Sequence, residues 1–284
     1  MSLVVQPFHA SDMEAADKVL RSAFKTSYDR KENLKRYLAI QSSGPFVAKI
    51  DGEIVGFGAA MDYGRFAYIG KMGVDPKVQR RGIGGSILAT ILGWLEDRKC
   101  PTALLDASPY GGPLYEKFGF KESDLTAVMQ RNVVKNHSKE RSAPNRSKTE
   151  VVELPKLLSF DVPRFGADRS ELLRSYFDDD PTRFLVSCDQ KGQVDGFLVA
   201  QPRVIGPWVA RNAEVAEGLL DDALEFSFEE NPTVFVSASN EAALELLSRN
   251  GFEKQRTQRH MYKGKSILRD RKSSIFGQAN FSFG

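Results

Sequence analysis

Residues 183–200, R-F-L-V-S-C-D-Q-K-G-Q-V-D-G-F-L-V-A, echo residues 45–60, P-F-V-A-K-I-D-G-E-I-V-G-F-G-A-A. The earlier copy sets two apolar runs around Asp51-Gly52-Glu53, a β-hairpin signal. The echo continues downstream. In each half a helix, a strand and another helix follow, closing on F-G-F at 118–120 and N-G-F at 250–252. A repeat of this length implies that one α/β unit was duplicated, and it limits the fold more than any other feature of the chain. Between the copies lies 131–150, poor in large apolar residues and rich in Lys, Arg, Ser and Asn, which reads as a linker or crossover. The expected division is a domain at 1–132, a basic linker at 133–150 and a second domain at 151–284, each half of ordinary domain size.

Composition removes several function classes. The net charge is +3 over 284 residues, and 131–150 alone carries +4, so the remainder nets −1. No nucleic-acid or anionic-membrane partner is implied. No apolar run approaches the length of a spanning helix, and the first ten residues lack the charge-then-apolar order of a secretory signal. Cys100 and Cys188 lie far apart without ligand spacing, so neither a disulfide framework nor a metal site is expected. The expected setting is cytoplasmic.

The first half reads as a strand at 3–6, a helix capped by Ser11 with Glu14 in a capping box, a helix at 33–40, the hairpin, and a strand at 67–74. A helix at 83–97, a strand at 103–107, a short helix at 113–118 and a closing pair of strands at 120–131 complete it. The loop from strand to long helix is V-D-P-K-V-Q-R-R-G-I-G-G, 74–85. Glycine at a helix start costs stability, so three within four residues behind two arginines need a reason. The first turn of a helix offers unpaired N–H groups and a partial positive charge. Bare backbone lets a phosphate come close to them. The loop therefore asks for a phosphorylated ligand, with Arg80 and Arg81 adding charge. A P-loop is excluded because no Lys-Ser/Thr follows. A dinucleotide fingerprint fails because Ile87 occupies the place of its third glycine. The pattern [QR]-x-x-G-x-[GA] is met by Gln79-Arg80-Arg81-Gly82-Ile83-Gly84, and L-Y-E-K-F-G-F follows at 114–120.

With these motifs the first half resembles the GNAT superfamily, the Gcn5-related N-acetyltransferases. The resemblance implies α/β (α+β) domains with mixed, mostly antiparallel sheets flanked by helices, here two in tandem. It implies acetyl-CoA as co-substrate, an amine acceptor and no metal. Carried over, the backbone of Met72, Gly73 and Val74 would meet the pantetheine arm. Gln79, Arg80, Arg81, Gly82, Ile83, Gly84 and Gly85 would cradle the diphosphate. Tyr115 would protonate the departing thiolate, a task suited to a phenol that stays protonated at neutral pH. Ser108 stands where the family often has Asn beside pantetheine. For the general base the sequence offers Asp62 and Asp106, with water or a backbone carbonyl as alternatives. His9, His137 and His260 share no spacing with these residues and read as surface or packing histidines.

The second half keeps the frame without this apparatus. Aligning Val74 with Val209 sets Glu214 opposite Gln79, Glu217 opposite Gly82 and Leu219 opposite Gly84, with Val215 and Ala216 in place of the arginines. Carboxylates there would repel a diphosphate. Leu247 replaces Tyr115, and Asn240 reads as a helix cap. F-G-A-D-R-S-E-L-L-R (165–174), I-G-P-W-V-A (205–210) and R-H-M-Y-K-G (259–264) resemble the C-terminal domain of two-domain bacterial GNAT proteins. Asp168, Arg169 and Trp208 are read as capping and core residues ahead of an acceptor or effector pocket. The expected function is acetyl transfer to an amine in the first domain. The second would cover that site, shape the acceptor pocket or form a homodimer. The alternative is a CoA-binding sensor or interaction protein without turnover.

Overall fold

Short apolar runs fill 45–62, around Asp51-Gly52, and 67–74, and apolar residues return every three or four positions along 83–97, and strands and a helix form accordingly. The computed structural model describes residues 2–132, 153–267 and 269–284. The expected linker at 133–150 lies outside the described residues.

The chain forms two compact units. The first comprises Met1–Ser123, Arg259–Ile267 and Phe281–Gly284. Its elements are β1 (Leu3–Pro7), α1 (Met13–Phe24), α2 (Lys31–Gln41), β2 (Pro45–Ile50), β3 (Glu53–Asp62), β4 (Ala67–Val74), α3 (Ile83–Asp97), β5 (Thr102–Ala107) and α4 (Gly112–Lys117). Strands β1 to β4 pair in sequence order, each antiparallel to the last. β4 and β5 are parallel. Ile83, Ile87, Leu88, Ile91 and Leu95 of α3 lie fully inside, against Phe46, Ala60, Ile69 and Leu105 of the sheet. Each such side chain contributes about 1.5–3 kcal/mol of burial free energy. The start of α1 differs from expectation. A short 3-10 turn at Ala10–Asp12 precedes it, and Asp12 rather than Ser11 closes it by accepting the His9 backbone N–H at 3.1 Å.

The second unit comprises Asp124–Gln258 and Leu268–Asn280. The expected closing pair at 120–131 is a single strand, β6 (Lys121–Arg131). After it come α5 (Leu154–Phe165), α6 (Ser170–Asp179), β7 (Phe184–Cys188), β8 (Val194–Ala200), β9 (Ile205–Ala210), α7 (Ala213–Ala223), β10 (Thr233–Ser237), α8 (Glu241–Arg249), β11 (Phe252–Gly264) and β12 (Ile275–Gly277). The order β12-β9-β8-β7 makes an antiparallel sheet. Trp208 is fully buried in its core, 5.3 Å from the ring of Phe276. Asp168 accepts the Ser170 N–H at 2.7 Å at the start of α6. Arg169 donates two bonds to Asp161, at 2.7 and 2.8 Å, both groups being buried. These three residues therefore cap and pack, in line with the capping and core reading.

The units do not follow the linear division at 132 and 151. Most of β6, the last strand of the first copy, pairs with β10 in the second unit, Thr126 opposite Ser237. The end of β11, the last strand of the second copy, pairs with β5 in the first unit, Arg259 opposite Ala107 through Gly264 opposite Thr102. The closing strands are exchanged. Alternation along a strand specifies which face is buried and leaves the partner open, so the exchange has no local signature.

Candidate active site

Strand β4 parts from β5 almost as soon as they meet. They pair only at Ala67 with Ala103 and Tyr68 with Leu104. β4 then continues to Val74 with its other edge still paired to β3, Gly73 opposite Phe57 and Val74 opposite Gly56. Met72, Gly73 and Val74 thus present backbone groups toward an opening rather than toward a neighbouring strand. A bulge sits in the same stretch. Gly70 lies opposite Ala59 and Gly73 opposite Phe57, so Lys71 and Met72 together face Gly58.

Past Val74 the chain turns through a short 3-10 segment, Pro76–Val78, into the loop. Gln79 ties the loop to the strand, its Nε2 donating to the Val74 carbonyl at 2.9 Å. Arg80 has φ 64° and Gly82 φ 82°, both left-handed. Gly82 is the N-cap of α3 and supplies no side chain to its first turn. A Cβ on Gly84 or Gly85 would meet Leu114 at 3.5 and 3.8 Å, ordinary contacts. Packing within the protein therefore does not require glycine at either position. Arg80 and Arg81 are exposed beside this uncapped helix end.

Tyr115 lies on α4 with 8% of its surface exposed, its ring 5.8 Å from that of Phe120. Desolvation pushes its pKa well above that of an ordinary phenol, so the hydroxyl keeps its proton. Ser108 accepts the Gly111 N–H at 3.1 Å and shapes the turn into α4. Asp62 is held by Arg98, Nε to carboxylate 2.7 Å, and accepts the Gly64 N–H at 2.8 Å, a structural placement at the end of β3.

Asp106 is different. It stands on β5 two positions beyond the last residue paired with β4, and its side chain is fully buried. One carboxylate oxygen faces His260 Nδ1 at 3.0 Å, and the other accepts the Tyr68 hydroxyl. His260 lies on β11 directly opposite Asp106 and is 3% exposed. By spacing alone His260 reads as a surface or packing residue, and it is in fact buried against a carboxylate. Its signal lies in strand pairing, which spacing along the chain does not carry. The same face of β4 carries the end of the chain. Tyr37 and Tyr63 donate to the carbonyls of Ser282 and Phe283, each at 2.8 Å, and a Cβ on Gly70 would come 2.5 Å from Ser282.

In the second unit the corresponding turn is short. β9 ends at Ala210 and α7 begins at Ala213, with only Arg211 and Asn212 between. Asn212 caps α7, its Oδ1 accepting the Val215 N–H at 3.0 Å. The loop of the first unit is missing here, so the residue-by-residue alignment slips. Glu214 is the second residue of its helix, as Gly84 is of α3. Leu247 is buried in the core, and Asn240 caps α8 through the Ala243 N–H at 3.1 Å, as expected. Among the described residues no three His, Cys, Asp or Glu gather as a metal site, and no helix is long and apolar enough to cross a membrane.

Comparison with known proteins gives concordant matches. A model described as the Acetyltransferase (GNAT) family matches residues 13–120, and one described as an Acetyltransferase (GNAT) domain matches residues 157–277. A Bacillus subtilis protein named uncharacterized N-acetyltransferase YitH is 27% identical over 176 residues, 60% of this chain and 61% of the relative. An uncharacterized N-acetyltransferase of Methanocaldococcus jannaschii, MJ1530, is 30% identical over 90 residues, 31% of this chain and 56% of that protein. The matches thus span about three fifths of these relatives' lengths. A solved structure from Pyrococcus horikoshii, described as a candidate acetyltransferase, superposes with a TM-score of 0.83 at 25% identity, covering 99% of this chain and 96% of that one.

Proposed function

The chain belongs to the GNAT family of acetyltransferases, with one GNAT domain in each half, and on that premise we propose that its first unit moves an acetyl group from acetyl-CoA to an amine while the second carries no transfer chemistry. The observation that carries this reading is the course of β4, which parts from β5 and leads into the uncapped, glycine-rich N-terminus of α3. In this reading the open backbone edge of Met72, Gly73 and Val74 pairs with the pantetheine arm. Gln79, Arg80, Arg81, Gly82, Ile83, Gly84 and Gly85 hold the diphosphate. The first-turn amides and two exposed guanidinium groups supply the positive field. Gly84 and Gly85 have room for a side chain in the protein alone, so an approaching ligand is the reason for their bareness. Ser108 stays a turn residue beside the cofactor arm.

Amides at the opening polarise the thioester carbonyl. Tyr115 keeps its proton through burial and donates to the departing sulfur. The Asp106–His260 pair receives the proton of the acceptor amine. The carboxylate 3.0 Å from Nδ1 orients the imidazole for that task. The second unit lacks the loop, the glycines and the phenol, and Asn212 already uses its helix end. Calorimetric titration with acetyl-CoA tests the reading. One site per chain is expected. Two sites would return a cofactor to the second unit, and none would remove the transferase assignment.

A further inference from the structure

The helix that carries Tyr115 is too short to hold its own place. α4 spans six residues, Gly112–Lys117, and Gly111 before it offers no capping side chain. Isolated helices shorter than about 12–15 residues are marginal in water. Ser108 fixes only the entry, its carbonyl accepting the Gly111 and Gly112 N–H groups at 3.0 and 2.9 Å. Leu114 and Tyr115 pack the apolar side of α4 against the core beneath α3. The direction of the Tyr115 ring therefore depends on what holds the other side of the helix.

Arg259 holds it. Its Nη2 donates to Glu116 Oε1 at 2.8 Å, and its Nε donates to Glu122 Oε2, at the start of β6, at 2.5 Å. A Cβ on Gly112 would come 2.9 Å from Nη1, so the guanidinium lies against the bare backbone of the first helical residue. Gly112 and Glu116 are four residues apart and share one face of α4, so a single planar group spans most of the helix. Arg259 is itself fixed by strand pairing, opposite Ala107 at the end of β5. Side chains alternate along β11. His260 turns to Asp106, while Arg259 and Met261 take the other face, and Met261 belongs to the same core cluster as Tyr115.

The clamp contributes little to stability. The Arg259, Glu116 and Glu122 side chains are 32%, 50% and 42% exposed. Ion pairs this exposed contribute about 0–1 kcal/mol. A general acid, by contrast, must stand about 2.6–3.2 Å from the atom it protonates. A misplacement of about 1 Å costs on the order of 10²-fold in rate. Orientation is what a planar fork on three points of contact supplies.

We infer that Arg259 is a positioning residue: it holds α4 in the register from which the Tyr115 hydroxyl meets the departing sulfur. The inference rests on the acid role proposed for Tyr115. The closing strand of the second copy thereby brings two groups to the first unit at consecutive positions, Arg259 beside α4 and His260 beside Asp106.

The test is a double-mutant cycle on the full chain. Free CoA released from acetyl-CoA is followed with hydroxylamine as acceptor, an amine uncharged at neutral pH, so that the rate reports the acid rather than the base. The uncatalysed reaction is subtracted. Arg259→Met keeps the stem and removes the fork. Its turnover should fall about tenfold, within the scale of a sub-ångström misplacement, while the KM for acetyl-CoA and the urea midpoint stay unchanged. Arg259→Lys, which reaches one carboxylate, should recover part of the loss. In a Tyr115→Phe background Arg259→Met should cost nothing further, because residues that act through one group are not additive. Additive losses overturn the inference and spare the acid role of Tyr115. Full turnover in Arg259→Met also overturns it. A Tyr115→Phe chain as fast as its parent removes the acid role and the inference with it. Where hydroxylamine is not turned over, amide hydrogen exchange of the 108–120 peptide decides. Faster exchange confined to that peptide in Arg259→Met supports the clamp, and unchanged exchange overturns it.

Discussion

His260 Nδ1 and the Asp106 carboxylate face each other at 3.0 Å across adjacent strands, although 154 residues separate them in the chain. The first unit therefore obtains one strand of its sheet, and the partner of a fully buried carboxylate, from near the end of the sequence. Leaving a buried polar group without its hydrogen-bond partner costs about 1–3 kcal/mol, more for a charged one.

A chain cut at residue 132 loses that partner together with the strand paired to β5. It should show no cooperative unfolding in urea, whereas the full chain should. A sharp transition in the fragment, with a midpoint near that of the full chain, would show that the exchanged strand is dispensable.

In the second unit, Arg169 and Asp161 form a bidentate pair with side-chain exposures of 2% and 0%. Arg169→Ala strands the carboxylate in a desolvated site. We expect a loss of about 3–5 kcal/mol in urea denaturation. A loss below about 1 kcal/mol, the scale of exposed pairs, would mean that water reaches Asp161.

Gly84→Glu puts a carboxylate and its bulk at the start of α3, as Glu214 does in α7. The protein alone leaves room for the first atom of the side chain, with Leu114 at 3.5 Å. Thermal stability should change little while CoA binding falls below detection in the calorimeter. Retained affinity would place the diphosphate elsewhere.

Tyr115→Phe keeps the ring that packs against Phe120 and removes only the donor. Turnover, followed as free CoA released with a responsive amine, should fall on the order of 10²-fold, the lower end for general acid catalysis. CoA affinity should stay within about twofold, given that scale. Equal turnover would end the role of Tyr115 as proton donor.

Burial raises the Cys100 thiol to about 11, while Cys188 is exposed. At pH 8 about one Cys100 thiol in a thousand is ionised, and the thiolate is the reactive form. Titration with a thiol-reactive dye should show one fast cysteine and one that waits for denaturant. Two fast phases would contradict the burial of Cys100.

Local order was readable where local chemistry sets it. The apolar spacing of 83–97 and the short apolar run at 67–74 matched α3 and β4 to the residue, and the glycines behind Gln79-Arg80-Arg81 marked the helix end. The hydrogen-bonding capacity of Asn240 was enough to identify it as a cap. Long-range pairing was not readable. Nothing near Met261 specifies β5 as its neighbour, so His260 read as an isolated residue. Nor did alignment by residue count register that the loop before α7 is missing, because a deletion leaves strand and helix patterns intact. The Lys71 bulge was hidden for the same reason, since one extra residue disturbs pairing more than composition.

The exchanged closing strands bear on descent as well as stability. A duplicated gene ordinarily releases its spare copy to decay or deletion. Here the closing strand of each copy pairs within the other's unit, β6 beside β10 and β11 beside β5. A deletion of the second copy would expose an unpaired strand edge in the first, a template for aggregation. Each half is retained as an inheritance the other cannot shed.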